Sequence, residues 1–132
     1  MPYRQVIFAP GYYYHVFNRG SEKRTIFQNN RDYQKFLERL REGLKKFAIE
    51  LLCFSLLPNH FHFLLKQKTD ASISKFMNNL LLGHAKFFNT KYQRVGPLFQ
   101  GRFKAKMIEQ EEYLLQLSRY IHRNNLPESV NS

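Results

Sequence analysis

The sequence predicts an α+β domain of ferredoxin-like plan, β-α-β-β-α-β with one further helix, an antiparallel sheet carrying crossover helices on one face. Three observations carry that expectation. Apolar residues recur at helical spacing in three stretches, four short stretches are aromatic, β-branched or strictly alternating, and turn residues separate them in that order. With 132 residues, one domain across 1–132 is expected, large enough to bury a single core.

Residues 12–17 (Tyr-Tyr-Tyr-His-Val-Phe) form the first strand, bounded by Gly11 and by Asn18-Arg19-Gly20. Tyr33, Phe36, Leu37, Leu40, Leu44 and Phe47 then share one face of a helix. Asn29 or Asn30 suits its cap, and Asp32 its first turn. Residues 49–57 are apolar enough for a strand buried on both faces. Pro58-Asn59 breaks the chain, and 60–65 resume as the third strand of a hairpin.

The second helix is expected over 71–91, with Ile73, Phe76, Met77, Leu80, Leu81, Phe87 and Phe88 inward and Thr69 or Asp70 as cap. After the Gly96-Pro97 turn and Gly101, residues 102–107 alternate strictly, with Arg102, Lys104 and Lys106 on the wet face of a half-buried fourth strand. A last helix over 111–124 turns Tyr113, Leu114, Leu117, Tyr120 and Ile121 to one side.

Lys and Arg number 21 against 10 acids, a formal charge of +11, and nine of the bases fall between Lys66 and Lys106 beside a single acid, Asp70. Such an excess points to an anionic partner, nucleic acid first. The single cysteine, Cys53, excludes an internal disulfide framework and a four-cysteine zinc site, and its apolar surroundings suit a buried bystander. No run reaches the ~18 apolar residues of a membrane span, and the N-terminus lacks a secretory pattern, so a cytoplasmic, nucleoid-associated protein is expected.

Strand alternation puts His60 and His62 on one face and Phe61 and Phe63 on the other. Two imidazoles about 6–7 Å apart along a strand can converge on one cation, although surface histidines on a solvated sheet show the same spacing. A third ligand has to come from elsewhere: His15, His84, His122 or a side-chain carbonyl. His84 falls on the apolar stripe of the second helix, which suits a packed histidine. Asn124 lies one turn beyond Tyr120, so a phenol and an amide oxygen share a helix face. Tyr113 is a rival phenol on that face, but Leu117 follows it one turn on and supplies no ligand.

Four blocks extend this pattern: Asn18-Arg19-Gly20, residues 58–65 (Pro-Asn-His-Phe-His-Phe-Leu-Leu), residues 96–103 (Gly-Pro-Leu-Phe-Gln-Gly-Arg-Phe), and Tyr120-Ile121-His122-Arg123-Asn124. In that order and over nearly the whole chain, they resemble the single-tyrosine HUH transposases, in the branch of REP-associated tyrosine transposases. The resemblance implies that His60 and His62 bind Mg²⁺ or Mn²⁺, that Asn124 helps hold the ion, and that Tyr120 is the nucleophile. It further implies cleavage of single-stranded DNA beside a hairpin, a 5′-phosphotyrosine intermediate, a free 3′-hydroxyl and rejoining by the reverse attack, by a monomer or a homodimer. The family follows the asparagine with proline, whereas Asn125 stands here and proline comes at Pro127.

The chemistry agrees with those roles. A phenol with a pKa near 10 is only ~0.1% ionised at neutral pH, so a cation on a phosphate oxygen is needed to offset the charge that builds during attack. Two imidazoles and an amide leave open positions on an octahedral ion for phosphate and water. Arg19, Arg102, Lys104, Lys106 and Arg123 are the candidate DNA contacts, and Tyr12 to Tyr14 could stack on bases. The competing expectation is a non-catalytic single-strand binder of RNA-recognition-motif topology, which has the same element order. It lacks its aromatic signature here, because histidines occupy the third strand where stacking rings belong.

Overall fold

The computed structural model describes residues 7–70, 72–108, 115 and 119. Within them the elements run β1 (Tyr13–Arg19), α1 (Asn30–Lys46), β2 (Ile49–Leu57), β3 (His60–Gln67), α2 (Ile73–Lys91) and β4 (Lys104–Ile108), with a short 3-10 turn at Ser21–Lys23. The strands pair in the order β2-β3-β1-β4, every neighbour antiparallel. This is the ferredoxin-like arrangement expected from the element order. The last helix expected over 111–124 falls almost wholly outside the described residues.

Alternation sorts the sheet into two faces. Tyr14, Val16, Phe61, Phe63, Leu65 and Ala105 turn toward α1 and α2 and join Phe36, Leu40, Phe76 and Leu80 in the main core. Phe36 stands between the two layers, its ring 5.8 Å from Phe61 and 6.1 Å from Phe63. The face turned away from these helices carries His15, Phe17, Arg19, His60, His62, Lys104 and Lys106, which the strand registers bring side by side.

Three expectations need correction. β2 is an edge strand, and Glu50 and Leu52 are exposed rather than buried on a second face. A bulge lies between Leu51 and Cys53, whose partners Leu65 and Leu64 are adjacent. One extra residue reverses the alternation, so Ser55 and Leu57, not Phe54 and Leu56, stand opposite the two histidines. The cap of α2 is Ser72, whose hydroxyl accepts the Ser74 N–H at 3.0 Å, in place of Thr69 or Asp70. The α1 cap is Asn29, accepting from the Asp32 N–H. Tyr14, one of three tyrosines read as base-stacking candidates, is wholly buried, and its hydroxyl accepts the Ala9 N–H at 2.8 Å.

His84 is the packed histidine that the α2 stripe implied. It is completely buried, ringed by Phe27, Phe36, Phe88 and Phe99, and donates from Nε2 to the Ile26 carbonyl at 2.8 Å. Burial pushes its pKa down to about 4, against the opposing pull of that carbonyl bond. The unfolded chain therefore takes up a proton near pH 6.5 that the native state refuses until about pH 4. Stability is full above 6.5 and is lost as the pH falls toward 4. Between pH 7 and pH 5 this residue is expected to contribute a loss of about 2 kcal/mol of unfolding free energy, read as the part of the pH dependence in denaturant melts that His84→Gln removes; an unchanged pH dependence in that variant contradicts the assignment.

Candidate active site

β3 begins at His60, directly after the Pro58-Asn59 turn, so the two histidines stand at the end of a central strand. Their neighbours Phe61 and Phe63 are fully buried and fix the register of the pair. The imidazole centroids of His60 and His62 are 5.2 Å apart, with the rings perpendicular. His60 Nδ1 lies 2.8 Å from Asn59 Oδ1. His62 Nδ1 lies 3.0 Å from His15 Nε2, and the rings of His15 and His62 stack on Phe17.

Burial, and then the neighbouring His60, pushes the His62 pKa down to about 4. Burial, His62 and Lys106 do the same for His15, and burial lowers His60. All three are therefore neutral at pH 7, the form in which an imidazole nitrogen carries a lone pair for a metal ion. Among the described residues there is no cluster of three or more His, Cys, Asp or Glu able to hold a metal ion. The two imidazoles fit a divalent cation as a partial donor set, leaving the remaining positions to oxygen ligands.

A cavity of about 500 Å³ opens over the pair, and Phe17, Arg19, Lys23, Asn59 and Lys104 join the histidines around it. Arg19 stands opposite His60 in the β1–β3 register, and Lys104 opposite Phe17 in the β1–β4 register. Lys106 lies on the same face, opposite His15. Arg102 departs from expectation. Because β4 starts at Lys104, Arg102 is in an exposed bend, and it lines a separate cavity with Leu82 and Pro97. The anticipated three-residue basic stripe is therefore two residues long.

Hydrogen bonds tie three of the sequence blocks together beside this cavity. The Gly20 N–H donates to the Asn59 carbonyl at 2.9 Å, and the Gln100 N–H donates to the Arg19 carbonyl at 2.9 Å. Asn18 Nδ2 donates to the Gly101 carbonyl, and Arg19 Nε donates to Gln100 Oε1 at 3.0 Å. Gly20 is required by close approach, since a Cβ there would overlap the Arg24 carbonyl oxygen. Gly20→Ala is expected to cost about 1–3 kcal/mol in a denaturant melt by forcing this loop apart; an unchanged midpoint would show that the loop yields freely.

Tyr120, Arg123 and Asn124, with Tyr113 and His122, lie outside the described residues. Asn59, Lys23 and Phe17 had no assigned role from sequence. Strand parity placed Phe17 on the face of His15, but only the cross-strand register brings both against His62. Asn59 read as a strand breaker, and its position next to His60 was the available signal.

Comparison gives the family of this ferredoxin-like sheet with paired histidines at the end of a central strand. A family model described as "Transposase IS200 like" matches residues 9–124, and the chain belongs to that family. The fold is similar to that of a solved REP-associated tyrosine transposase bound to a REP hairpin. The TM-score is 0.75 at 17% identity, over 94% of this chain and 72% of that one. It is also similar to the crystal structure of a candidate transposase from Deinococcus radiodurans R1, with a TM-score of 0.60 at 17% identity, over 92% of this chain and 100% of that one. No curated protein matches the sequence. No helix among the described residues is long and apolar enough to cross a membrane.

Proposed function

We propose that this transposase-family chain is a metal-dependent single-stranded DNA endonuclease and strand transferase. It cleaves beside a hairpin through a 5′-phosphotyrosine on Tyr120. The observation that carries the reading is the convergence of Asn18-Arg19 and the His60/His62 strand end on one cavity with the cationic side chains of Arg19, Lys23 and Lys104 in its walls, the Asn18-Arg19 segment being tied in turn to Gln100 and Gly101. The hairpin held by the REP-associated relative supports a hairpin-bearing strand as substrate.

In this mechanism His60 and His62 bind Mg²⁺ or Mn²⁺ through neutral imidazoles, and the Asn124 amide oxygen adds a ligand. Bound there, the cation supplies Lewis-acid neutralisation of a non-bridging phosphate oxygen. Arg19 and Lys104, in the wall of the cavity, hold backbone phosphates of the strand, with Lys106 and Arg123 as further contacts. The Tyr120 hydroxyl loses its proton and attacks phosphorus. The P–O3′ bond breaks, the 3′-oxygen leaves and takes up a proton, and the 5′-phosphate stays esterified to the phenol. The ester keeps the bond energy, so rejoining by a 3′-hydroxyl needs no nucleotide cofactor.

The test is incubation with Mn²⁺ and a 3′-labelled hairpin-bearing single strand, followed by denaturing electrophoresis. Label migrating with the protein is expected. Cutting without an adduct indicates a simple hydrolase, and neither cutting nor an adduct indicates a non-catalytic binder.

A further inference from the structure

We propose that His15 and Asn59 are positioning residues that hold His62 and His60 in the Nδ1–H tautomer, turning both Nε2 lone pairs to one divalent cation. The inference rests on the reading of the two histidines as ligands, and it assigns functions to two residues that reading does not use.

A neutral imidazole has one protonated nitrogen and one lone pair, and the nitrogen that binds a cation must be the bare one. At His60 the neighbours decide which is which. Asn59 Nδ2 donates to the Lys23 carbonyl, which can only accept, so the amide orientation is fixed and Oδ1 is the atom 2.8 Å from His60 Nδ1. An amide oxygen only accepts. His60 Nδ1 therefore carries the proton, and Nε2 carries the lone pair. The Asn59 main chain is itself anchored, its carbonyl accepting the Gly20 N–H at 2.9 Å.

At His62 the partner is a second imidazole. The 3.0 Å contact between His62 Nδ1 and His15 Nε2 needs one proton between them. If His62 supplies it, Nε2 of His62 is a lone pair; if His15 supplies it, that nitrogen is protonated and cannot bind a cation. Only the first arrangement serves the site. It also removes His15 from the candidates for third ligand through Nε2, because that lone pair is committed to His62. Stacking on Phe17 and burial to 9% exposure hold the His15 ring at this task. Such outer partners of ligating histidines set ring orientation and basicity, and their loss typically weakens metal binding about 10- to 100-fold.

Long-range ¹H–¹⁵N correlation of histidine-labelled, metal-free protein at pH 7 reads the tautomers directly, and Mn²⁺ titration reads the affinity. In the wild type both histidines are expected with protonated Nδ1 and bare Nε2. Asn59→Ala is expected to release His60, and His15→Phe to release His62, toward the Nε2–H form. Each should weaken Mn²⁺ binding by about 10- to 100-fold. Asn59→Asp and His15→Gln, which retain an accepting oxygen, should recover the tautomer and most of the affinity. An Nε2–H form of either histidine in the wild type overturns the proposal, as do tautomers unmoved by Asn59→Ala. Should His15→Phe fail to fold, the wild-type spectrum still decides. A wild type with the expected tautomers that binds no Mn²⁺ contradicts the metal reading, separately from the hydrogen-bond assignment.

Discussion

Tyr120→Phe is expected to abolish the covalent protein–DNA adduct and to lower strand cleavage by at least about 10³-fold, while leaving binding of the same hairpin strand within about twofold. Phenylalanine keeps the ring and removes only the oxygen that attacks phosphorus. Strand register and loop hydrogen bonds place Arg19, Lys104 and the imidazole pair, so the binding surface is expected to survive the substitution. Binding and chemistry therefore separate in this one variant. Fluorescence anisotropy with a labelled strand gives the first, and gel analysis in Mn²⁺ gives the second. Cleavage at the wild-type rate would transfer the role of nucleophile to another group, with Tyr113 or water the first to examine.

His62→Ala is expected to eliminate detectable Mn²⁺ binding and to reduce cleavage by about 10²- to 10⁴-fold. It takes away one of two imidazoles and also the stacking partner of His15 and Phe17, so some loss of stability accompanies the loss of metal. His60→Ala separates the two effects. His60 lines the cavity and is half-buried, and among the described residues its hydrogen bond runs to the adjacent Asn59, so its removal should reduce metal binding with a smaller change in melting temperature. Isothermal titration with Mn²⁺ and thermal denaturation of both variants check this. Cleavage that persists in both variants and resists a chelator would remove the cation from the mechanism.

The parts of this site that could be read in the sequence are those set by local periodicity. Alternation alone put His60 and His62 on one face and Phe61 and Phe63 in the core, and the order of apolar stretches gave the sheet topology. The parts that could not be read depend on pairing between distant strands. Nothing local to residues 49–57 announces the bulge beside Leu52, yet that bulge decides that Ser55 and Leu57 stand opposite the histidines. The alternation of 102–107 extended one residue pair too far, because the Gly101 turn has a positive φ and β4 begins only once the chain is in register with Phe17. The contact between His15 and His62 spans 47 residues and exists only through the β1–β3 register.

The family blocks make the same point. In sequence they are separate signatures, and a resemblance can recognise them without saying why they occur together. In the structure Gly20 donates to Asn59, Gln100 donates to Arg19, and Asn18 reaches Gly101, so three of the four are tied into one loop cluster beside the histidine strand end. The fourth, residues 120–124, lies beyond the described residues, and the sharing of one face by the phenol and the amide is an expectation from sequence spacing.

In the proposed mechanism a cation on His60 and His62 activates a DNA phosphate for attack by the phenol at position 120. Peptide mapping of the denatured Mn²⁺ reaction by mass spectrometry tests it most directly. The account predicts a 5′-phosphonucleotide on Tyr120, absent when the metal is chelated. A modified peptide elsewhere in the chain, or cleaved strands with both ends free of protein, would contradict it.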